Sequence, residues 1–430
     1  MTRVLIAAVP IHGHVTPMRA IARNLVERGY PVTFLTGQDF RESVERTGAR
    51  FRSLPSEADL TGPVNELFPE RDTGALRREQ IEFDMRLTIH GLSGQHAAMQ
   101  EILAEADGEP VVLVHETLFM GGWPVRLGAP GLRPAGVVGI GVIPVPISSI
   151  DHAPWGMGLP PDSSSEGRAR NRFLNDVAAA ELQAGVQREL AAGLAALGAT
   201  EEPPLMFDGL VAMPDRFLQL TIGSMDYPRS DAPPRLRHVG ALPAEPPEDV
   251  ELPEWWDELI TASRVVVVTQ GTLANADLSR LIEPAVRALA DLDALVVVTT
   301  GSDVIPDRLP ANARAARYLP FDLLLPHADV LISNGGYGGV HRALWHGVPM
   351  VLAGDTEDKV EVGALAAWAG AAINLATGDP DEADIRKAVD AVLTDPTHAR
   401  RAEELRAECL RQDPHGTIAA AVEELARRTE

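Results

Sequence analysis

Two widely separated stretches of the chain carry the same grammar, and that repetition limits the fold more than any other feature. In the first, Val4-Leu5-Ile6-Ala7-Ala8-Val9 is an unbroken apolar run, followed by a loop with glycine and histidine. Thr16-Pro17 then offers an N-cap and a proline at the first helical position. Unbroken apolar runs suit parallel strands buried on both faces. Ile21, Leu25 and Val26 supply the apolar stripe of the helix, Gly29 ends it, and Val32 begins the next strand. The grammar returns with a strand at Val265-Val266-Val267-Val268, a turn at Gly271-Thr272 and a helix expected from Leu278 to Leu289. Further strands are expected at residues 295–298 and 330–332. Gly335-Gly336-Tyr337-Gly338-Gly339 then opens a short helix, which Gly347-Val348-Pro349 stops before Met350-Val351-Leu352 resumes the sheet. The chain therefore reads as α/β, with two doubly wound halves.

The 430 residues have room for two such domains. Pro233 to Trp256, rich in proline and acid and without periodicity, reads as the linker. Asp151 to Gly167 reads as an ordered insertion over a site, because it carries large apolar residues. Ala178 to Leu197 has the pattern of a plain core helix, and Thr417 to Arg428 that of an amphipathic one. Lys and Arg total 38 against 61 Asp and Glu, a formal charge of -23. That balance disfavours nucleic acid and anionic membrane as partners, since both call for a basic footprint. The single Cys409 leaves no disulfide framework and no Cys-rich metal site. No apolar run is long enough to span a membrane, and Met1-Thr2-Arg3 leads into no cleavage site, so a cytoplasmic protein is expected.

Three segments carry chemistry. Ile11-His12-Gly13-His14-Val15 lies between a strand's C-terminal end and a helix N-terminus, the crevice where open α/β sheets bind ligands. The helix dipole there disfavours the imidazolium, so His14 suits a general base, with a quiet loop-capping role as the equal alternative. Glu116 ends the apolar run Val111-Val112-Leu113-Val114-His115. It either orients His14, as a carboxylate does in a triad, or is a solvated loop acid, which sequence alone favours. The glycine run 335–339 precedes a helix, so backbone N–H groups and the dipole can hold phosphate, with Gly271 and Thr272 offering another N–H and a hydroxyl. The Lys-Ser/Thr of a P-loop is missing, and so is GxGxxG, which disfavours an ATPase and an NAD-dependent oxidoreductase. Lys359 stands out as one of only two lysines; an ordinary surface salt bridge is its plainer reading. Asp291-Leu292-Asp293 reads as a polar turn rather than a metal motif, and no other segment has metal-ligand spacing.

These residues resemble the nucleotide-sugar-dependent glycosyltransferases of GT-B fold, in the bacterial macrolide and natural-product branch. Gly13-His14-Val15-Thr16-Pro17 is similar to that family's N-terminal loop. Arg317-Tyr318-Leu319-Pro320, His327-Ala328-Asp329 and Asn334-Gly335-Gly336 through Gly347-Val348-Pro349 resemble its donor signature in order and spacing. The resemblance implies two Rossmann-like domains facing across a cleft: 1–232 for the acceptor, a linker at 233–262, 263–412 for the donor, and a terminal helix at 413–430 packing back on the first. It implies an inverting, metal-independent transfer with His14 as general base and Glu116, where the family usually has Asp, as its partner. Thr272 would contact the diphosphate, Tyr318 would stack on the base in place of Trp, and Leu319 would offer backbone groups to the base edge. Gly335, Gly336, Gly338 and Gly339 would cradle phosphate. Asn334 stands where the family commonly has His, Arg342 where a ribose-binding Glu is frequent, and Asp358-Lys359 where Asp-Gln reads sugar hydroxyls. Lys359 could instead reach the diphosphate.

The implied partners are a small-molecule acceptor and a UDP- or dTDP-linked sugar as co-substrate, with no cofactor or metal and with a homodimer left open. His12, Phe119, Met120, Trp123, Trp155 and Met157 are expected to line a site for a hydrophobic aglycone of polyketide, macrolide or flavonoid type. Two other readings share the architecture: a nucleotide-sugar 2-epimerase, and a catalytically silent partner of another transferase.

Overall fold

The computed structural model describes residues 2–59, 77–244, 250–271, 277–302, 304–306 and 308–428. Its first half is built on β1 (Arg3–Ala7), β2 (Val32–Thr36), β3 (Arg50–Ser53), β4 (Val111–Glu116), β5 (Gly136–Gly141), β6 (Arg216–Gln219) and β7 (Leu236–His238). They form one sheet in the order β3-β2-β1-β4-β5-β6-β7, parallel throughout. The second half holds β8 (Val265–Thr269), β9 (Leu295–Thr299), β10 (Ala313–Ala316), β11 (Val330–Ser333), β12 (Met350–Leu352) and β13 (Ala372–Asn374). Its order is β10-β9-β8-β11-β12-β13, again all parallel. Apolar strands such as Val111–Val114 and Val265–Val268 are buried on both faces, as helix-covered parallel sheets require.

This topology decides where the sites fall. In each sheet the chain builds outward on one side of its first strand and then crosses to the other, so the order reverses between β1 and β4 and between β8 and β11. Ligands of doubly wound folds bind at such reversals, outside the C-terminal ends of the strands. The register sets Ala7 beside His115 and Ser333 beside Thr269. The residues just beyond, at 8–14 and 116 in one half and at 270–271 and 334–336 in the other, are therefore drawn together.

Several element boundaries differ from the sequence expectation. The first helix runs His12–Glu27, starting four residues before Thr16, with Pro17 inside it. His14 N and Val15 N both bond to Ile11 O at 2.9 Å, so the turn closes before the proline is reached. The expected helix from Leu278 splits into a 3₁₀ turn, Leu278–Arg280, and a helix, Ile282–Ala288. The expected core helix at 178–197 is part of a longer run: Ser165–Val177, a π-helical stretch Ala178–Gln183, then Ala184–Ala196. Only one face of the last piece is buried, through Val186, Leu190 and Leu194. The linker segment contains β7, which pairs with β6, so the first sheet extends past residue 232. Alternating character failed to reveal β7 because it is a three-residue edge strand.

The C-terminal helix, Pro414–Arg427, is capped by Asp413 and belongs to the core of the first half. Ile418, Val422 and Leu425 pack in the cluster of Val4, Ile6, Val112, Val114 and Val138. Contact is close enough that a Cβ on Gly136 would stand 2.5 Å from that of Leu425. The halves also meet along a polar seam. Gln219 Nε2 donates to Tyr337 Oη at 2.7 Å, and His341 Nε2 lies 2.7 Å from Thr221 Oγ1. His341 Nδ1 faces the Tyr337 carbonyl at 2.8 Å, which can only accept, so the ring proton sits on Nδ1 and Nε2 accepts from Thr221.

Leu425→Ala should therefore destabilise the protein by about 2–5 kcal/mol in urea unfolding, the cost of a cavity in a packed core. A loss under about 1 kcal/mol would show that the terminal helix contributes little to that core.

Candidate active site

Glu116 has no exposed surface, which corrects the reading of it as a solvated loop acid. It closes β4 and faces into the first crevice, because β4 neighbours β1 and the helix that follows β1 begins beside it. A buried carboxylate must be met by donors. Glu116 Oε1 accepts Val9 N at 3.1 Å, and Oε2 accepts Leu118 N at 2.8 Å. Oε2 also lies 2.6 Å from His14 Nδ1. Burial alone would raise its pKa, but the charge and hydrogen bond of His14, with the two backbone donors, more than offset this and hold it below the usual carboxylate range. An ionised Glu116 can only accept, so His14 keeps a proton on Nδ1, and in the neutral ring the lone pair is on Nε2. That is the tautomer a general base needs.

The second crevice is lined by neutral donors. Gly335 has φ +83, a left-handed conformation that turns the chain from β11 into the helix Tyr337–His346. Gly336 caps this helix without a side-chain bond to its first turn, leaving N–H groups of the kind that bind phosphate. Gly336 and Gly338 have open space where a side chain would begin, while Gly339 lies against Phe321. Packing thus does not demand glycine at 336 or 338. Asn334 is buried, and its amide Nδ2 donates to the Gln270 carbonyl across the top of β8 and β11. Gly271 adjoins the Asn334 amide, and Thr272 lies outside the described residues. Tyr318 is 68% exposed, a surface aromatic of the sort that can stack on a planar ligand. Leu319 instead buries its side chain in the core, leaving its backbone as its polar part.

Lys359 is neither a surface salt bridge nor a free cation. It is buried at the start of the helix Lys359–Trp368, and its Nζ bonds Glu357 and, at 3.1 Å, Thr356 Oγ1. Arg342 is likewise committed: it donates to Asp322 Oδ1 at 3.3 Å and to the Leu242 carbonyl, holding the helix to the chain after β7. Asp358 is half-buried beside them. Burial raises its pKa, with the charges of Lys359 and His14 acting against that rise and Glu357 with it.

The expected acceptor residues separate into two groups. Phe119, Met120 and Trp123 are buried in two apolar clusters beneath the sheet and against the helices, so they are core and not lining. His12 is exposed and set edge-on to Phe40 at 5.2 Å. Met157 is 47% exposed, while Trp155 packs on Phe207 at 5.3 Å. Among the described residues no group of three or more His, Cys, Asp or Glu is placed to hold a metal ion, and Asp291 is paired with Arg386. Sequence reading missed Glu361, which is buried at the seam between the halves. Its one signal was an acid within an otherwise apolar helical stretch, Val360 to Trp368.

Comparison with known proteins agrees with this fold. Residues 283–425 match the family described as erythromycin biosynthesis protein CIII-like, C-terminal domain. The chain is 44% identical to UDP-glycosyltransferase 2 of Phaeomoniella chlamydospora, over 98% of this chain and 95% of that one. It is 40% identical to 4'-demethylrebeccamycin synthase of Lentzea aerocolonigenes, over 96% of each. In fold it is similar to the glycotransferase of kitacinnamycin, with TM-score 0.71, 22% identity and coverage of 99% and 98%. It is also similar to the glycosyltransferase VinC, solved in complex with dTDP, with TM-score 0.69, 20% identity and full coverage of both chains.

Because the folded-state pKa of Glu116 is lowered, its ionisation contributes stability that is present above its ordinary value of 4.5 and lost as pH falls through the folded value. Glu116→Gln should be less stable than wild type at neutral pH, with the gap narrowing below pH 4.5 in urea titrations. A gap that is constant with pH would mean the carboxylate charge contributes nothing.

Proposed function

The chain belongs to the nucleotide-sugar-dependent glycosyltransferases of GT-B fold, a natural-product type, and we propose that it carries out an inverting transfer with His14 as the general base. His14 Nε2 takes the proton of an acceptor hydroxyl as that oxygen attacks the anomeric carbon of the bound sugar nucleotide. The bond from that carbon to the diphosphate oxygen breaks, and the nucleoside diphosphate leaves with the electron pair. Attack opposite the leaving group inverts the anomeric centre. Glu116 stabilises the imidazolium as it forms, and the 2.6 Å contact from Nδ1 to Glu116 Oε2 is the observation that carries this reading.

The growing charge on the diphosphate is met by fixed dipoles: the N–H groups at Gly336, Tyr337 and Gly338 and the amide of Asn334. With Lys359 bonded to Glu357, these neutral donors take the place of the one cation expected to reach the diphosphate. The reading involves no metal. The relatives' names point to UDP sugars, and a fold neighbour holds dTDP, so a pyrimidine nucleoside diphosphate sugar is the proposed donor. Tyr318 would stack on its base and Asp358 would read sugar hydroxyls. The acceptor is a hydrophobic hydroxyl compound, met by His12, Trp155 and Met157. Transferase names on relatives that span nearly all of the chain favour transfer over epimerisation.

His14→Ala should lower transfer by about 10³-fold or more while calorimetric affinity for UDP or dTDP stays within about twofold. Retained turnover would remove His14 as the base. Gly336→Val should fold normally, since φ is -61 and no atom lies within 4 Å of the new Cβ. It should nevertheless lose about tenfold or more in nucleotide affinity, and unaltered affinity would exclude the glycine run as the phosphate cradle.

A further inference from the structure

The loop joining β5 to the helix Ser165–Val177 leaves the first half and settles on the second. Gly156 N and Gly158 N both donate to Glu361 Oε2, at 3.1 and 3.3 Å. Gly158 has φ +62, and a Cβ there would come within 2.8 Å of Val360 Cγ1 and 3.2 Å of the Val360 carbonyl. The loop backbone therefore rests directly on the helix Lys359–Trp368, one turn from Asp358. Tyr227 completes the contact, its ring lying 5.8 Å from His152 of the loop and 6.2 Å from Trp368 of the helix.

We propose that Glu361 is a positioning residue that latches the Trp155–Gly158 loop to the nucleotide-binding half and so couples placement of the acceptor to that half. The coupling to an acceptor rests on the transferase reading above; the latch itself does not. Glu361 is 5% exposed and, among the described residues, has no ion pair. The nearby Arg229 is instead bonded to Asp226 at 2.7 Å. Both loop donors use one carboxyl oxygen, so the other is free to carry a proton without breaking either bond. Tyr227 Oη, buried and without a hydrogen-bond partner, is the polar group left over at the same seam.

The groups facing Glu361 make the latch sensitive to pH. Asp358 and Lys359 lie on its own helix, Asp226, Tyr227 and Arg229 on the segment after β6, and His152 on the loop. Burial pushes Glu361 up to about 7, against the bonds from Gly156 and Gly158 and the charge of Arg229, and with the charge of Asp226. A released, hydrated Glu361 returns toward 4.5. The raised value belongs to the docked state, so docking is strongest below 4.5 and weakens as pH rises through about 7. Between about pH 5.5 and pH 8 the docking constant should fall about twentyfold.

Hydrogen exchange on the full chain, corrected for intrinsic rates, tests this in the peptide spanning residues 151–164. Wild type should lose about twentyfold in protection between about pH 5.5 and pH 8. Glu361→Gln, which keeps the acceptor oxygen but cannot ionise, should stay protected at both. Glu361→Ala should be unprotected at both. Equal protection in wild type and Glu361→Ala would overturn the latch, as would a Glu361→Gln variant that retains the wild-type pH dependence. With UDP-glucose and 2,4,5-trichlorophenol as probes, Glu361→Ala should raise the phenol KM at least about fivefold and leave the UDP-glucose KM within about twofold; an unchanged phenol KM would overturn the coupling to the acceptor. Failure of wild type to glycosylate the phenol would count against the acceptor class proposed above, and the exchange data would still decide the latch.

Discussion

A carboxylate shut away from water stays ionised only where donors surround it, and the first half of this protein is arranged to supply them to Glu116. Val9 and Leu118 offer backbone N–H groups from the ends of two neighbouring strands' loops, and His14 offers its ring. Neither Val9 N nor the His14 ring could reach the carboxyl if β4 lay anywhere but beside β1. The early start of the first helix belongs to the same arrangement, since it brings His14 into the first turn, where its Nδ1 meets the carboxylate. Ionisation, tautomer and helix start are thus one constraint seen at three levels.

On the proposed function the second half faces a different problem, that of attracting an anion in a chain with a large negative charge. The cations nearest the glycine run are neutralised in place, Lys359 by Glu357 and Arg342 by Asp322. What remains is geometry: a left-handed Gly335, an uncapped helix start and the Asn334 amide fixed on Gln270. Fixed dipoles need no counter-charge and do not collapse onto neighbouring acids when a ligand leaves. The seam between the halves follows the same economy, with neutral His341, Thr221, Gln219 and Tyr337 bonded to one another.

Much of this was legible in the sequence because it rests on local signals. Valine-rich runs report buried parallel strands, and glycines before a helix report its approach. Those signals place His14 and the glycine run 335–339 at strand ends, whereas Glu116 reads more readily as a solvated acid and Asn334 stands out only through the family resemblance. The unreadable parts depend on what lies opposite a residue in space. Phe119, Met120 and Trp123 are apolar whether they line a pocket or fill a core, and only the packing shows that they fill it. Lys359 gave no sign that Glu357, two residues away, would take it, because that pairing needs the left-handed backbone of Glu357 at φ 47. Glu361 shows in the sequence only as an acid in an apolar stretch, because its partners are backbone N–H groups some two hundred positions earlier.

The return of the helix Pro414–Arg427 to the first sheet bears on how the protein is made. All strands of that sheet have been synthesised once residue 238 is reached, yet its apolar face against Val422 and Leu425 stays uncovered until residues 239–413 have followed. At ordinary translation speeds that interval is on the order of ten seconds or more. The nascent first half must spend it as an incomplete body with a greasy face turned to the solvent, while the second half can close its own sheet without waiting. The core of the earlier half thus cannot be complete until the last helix of the chain has been made.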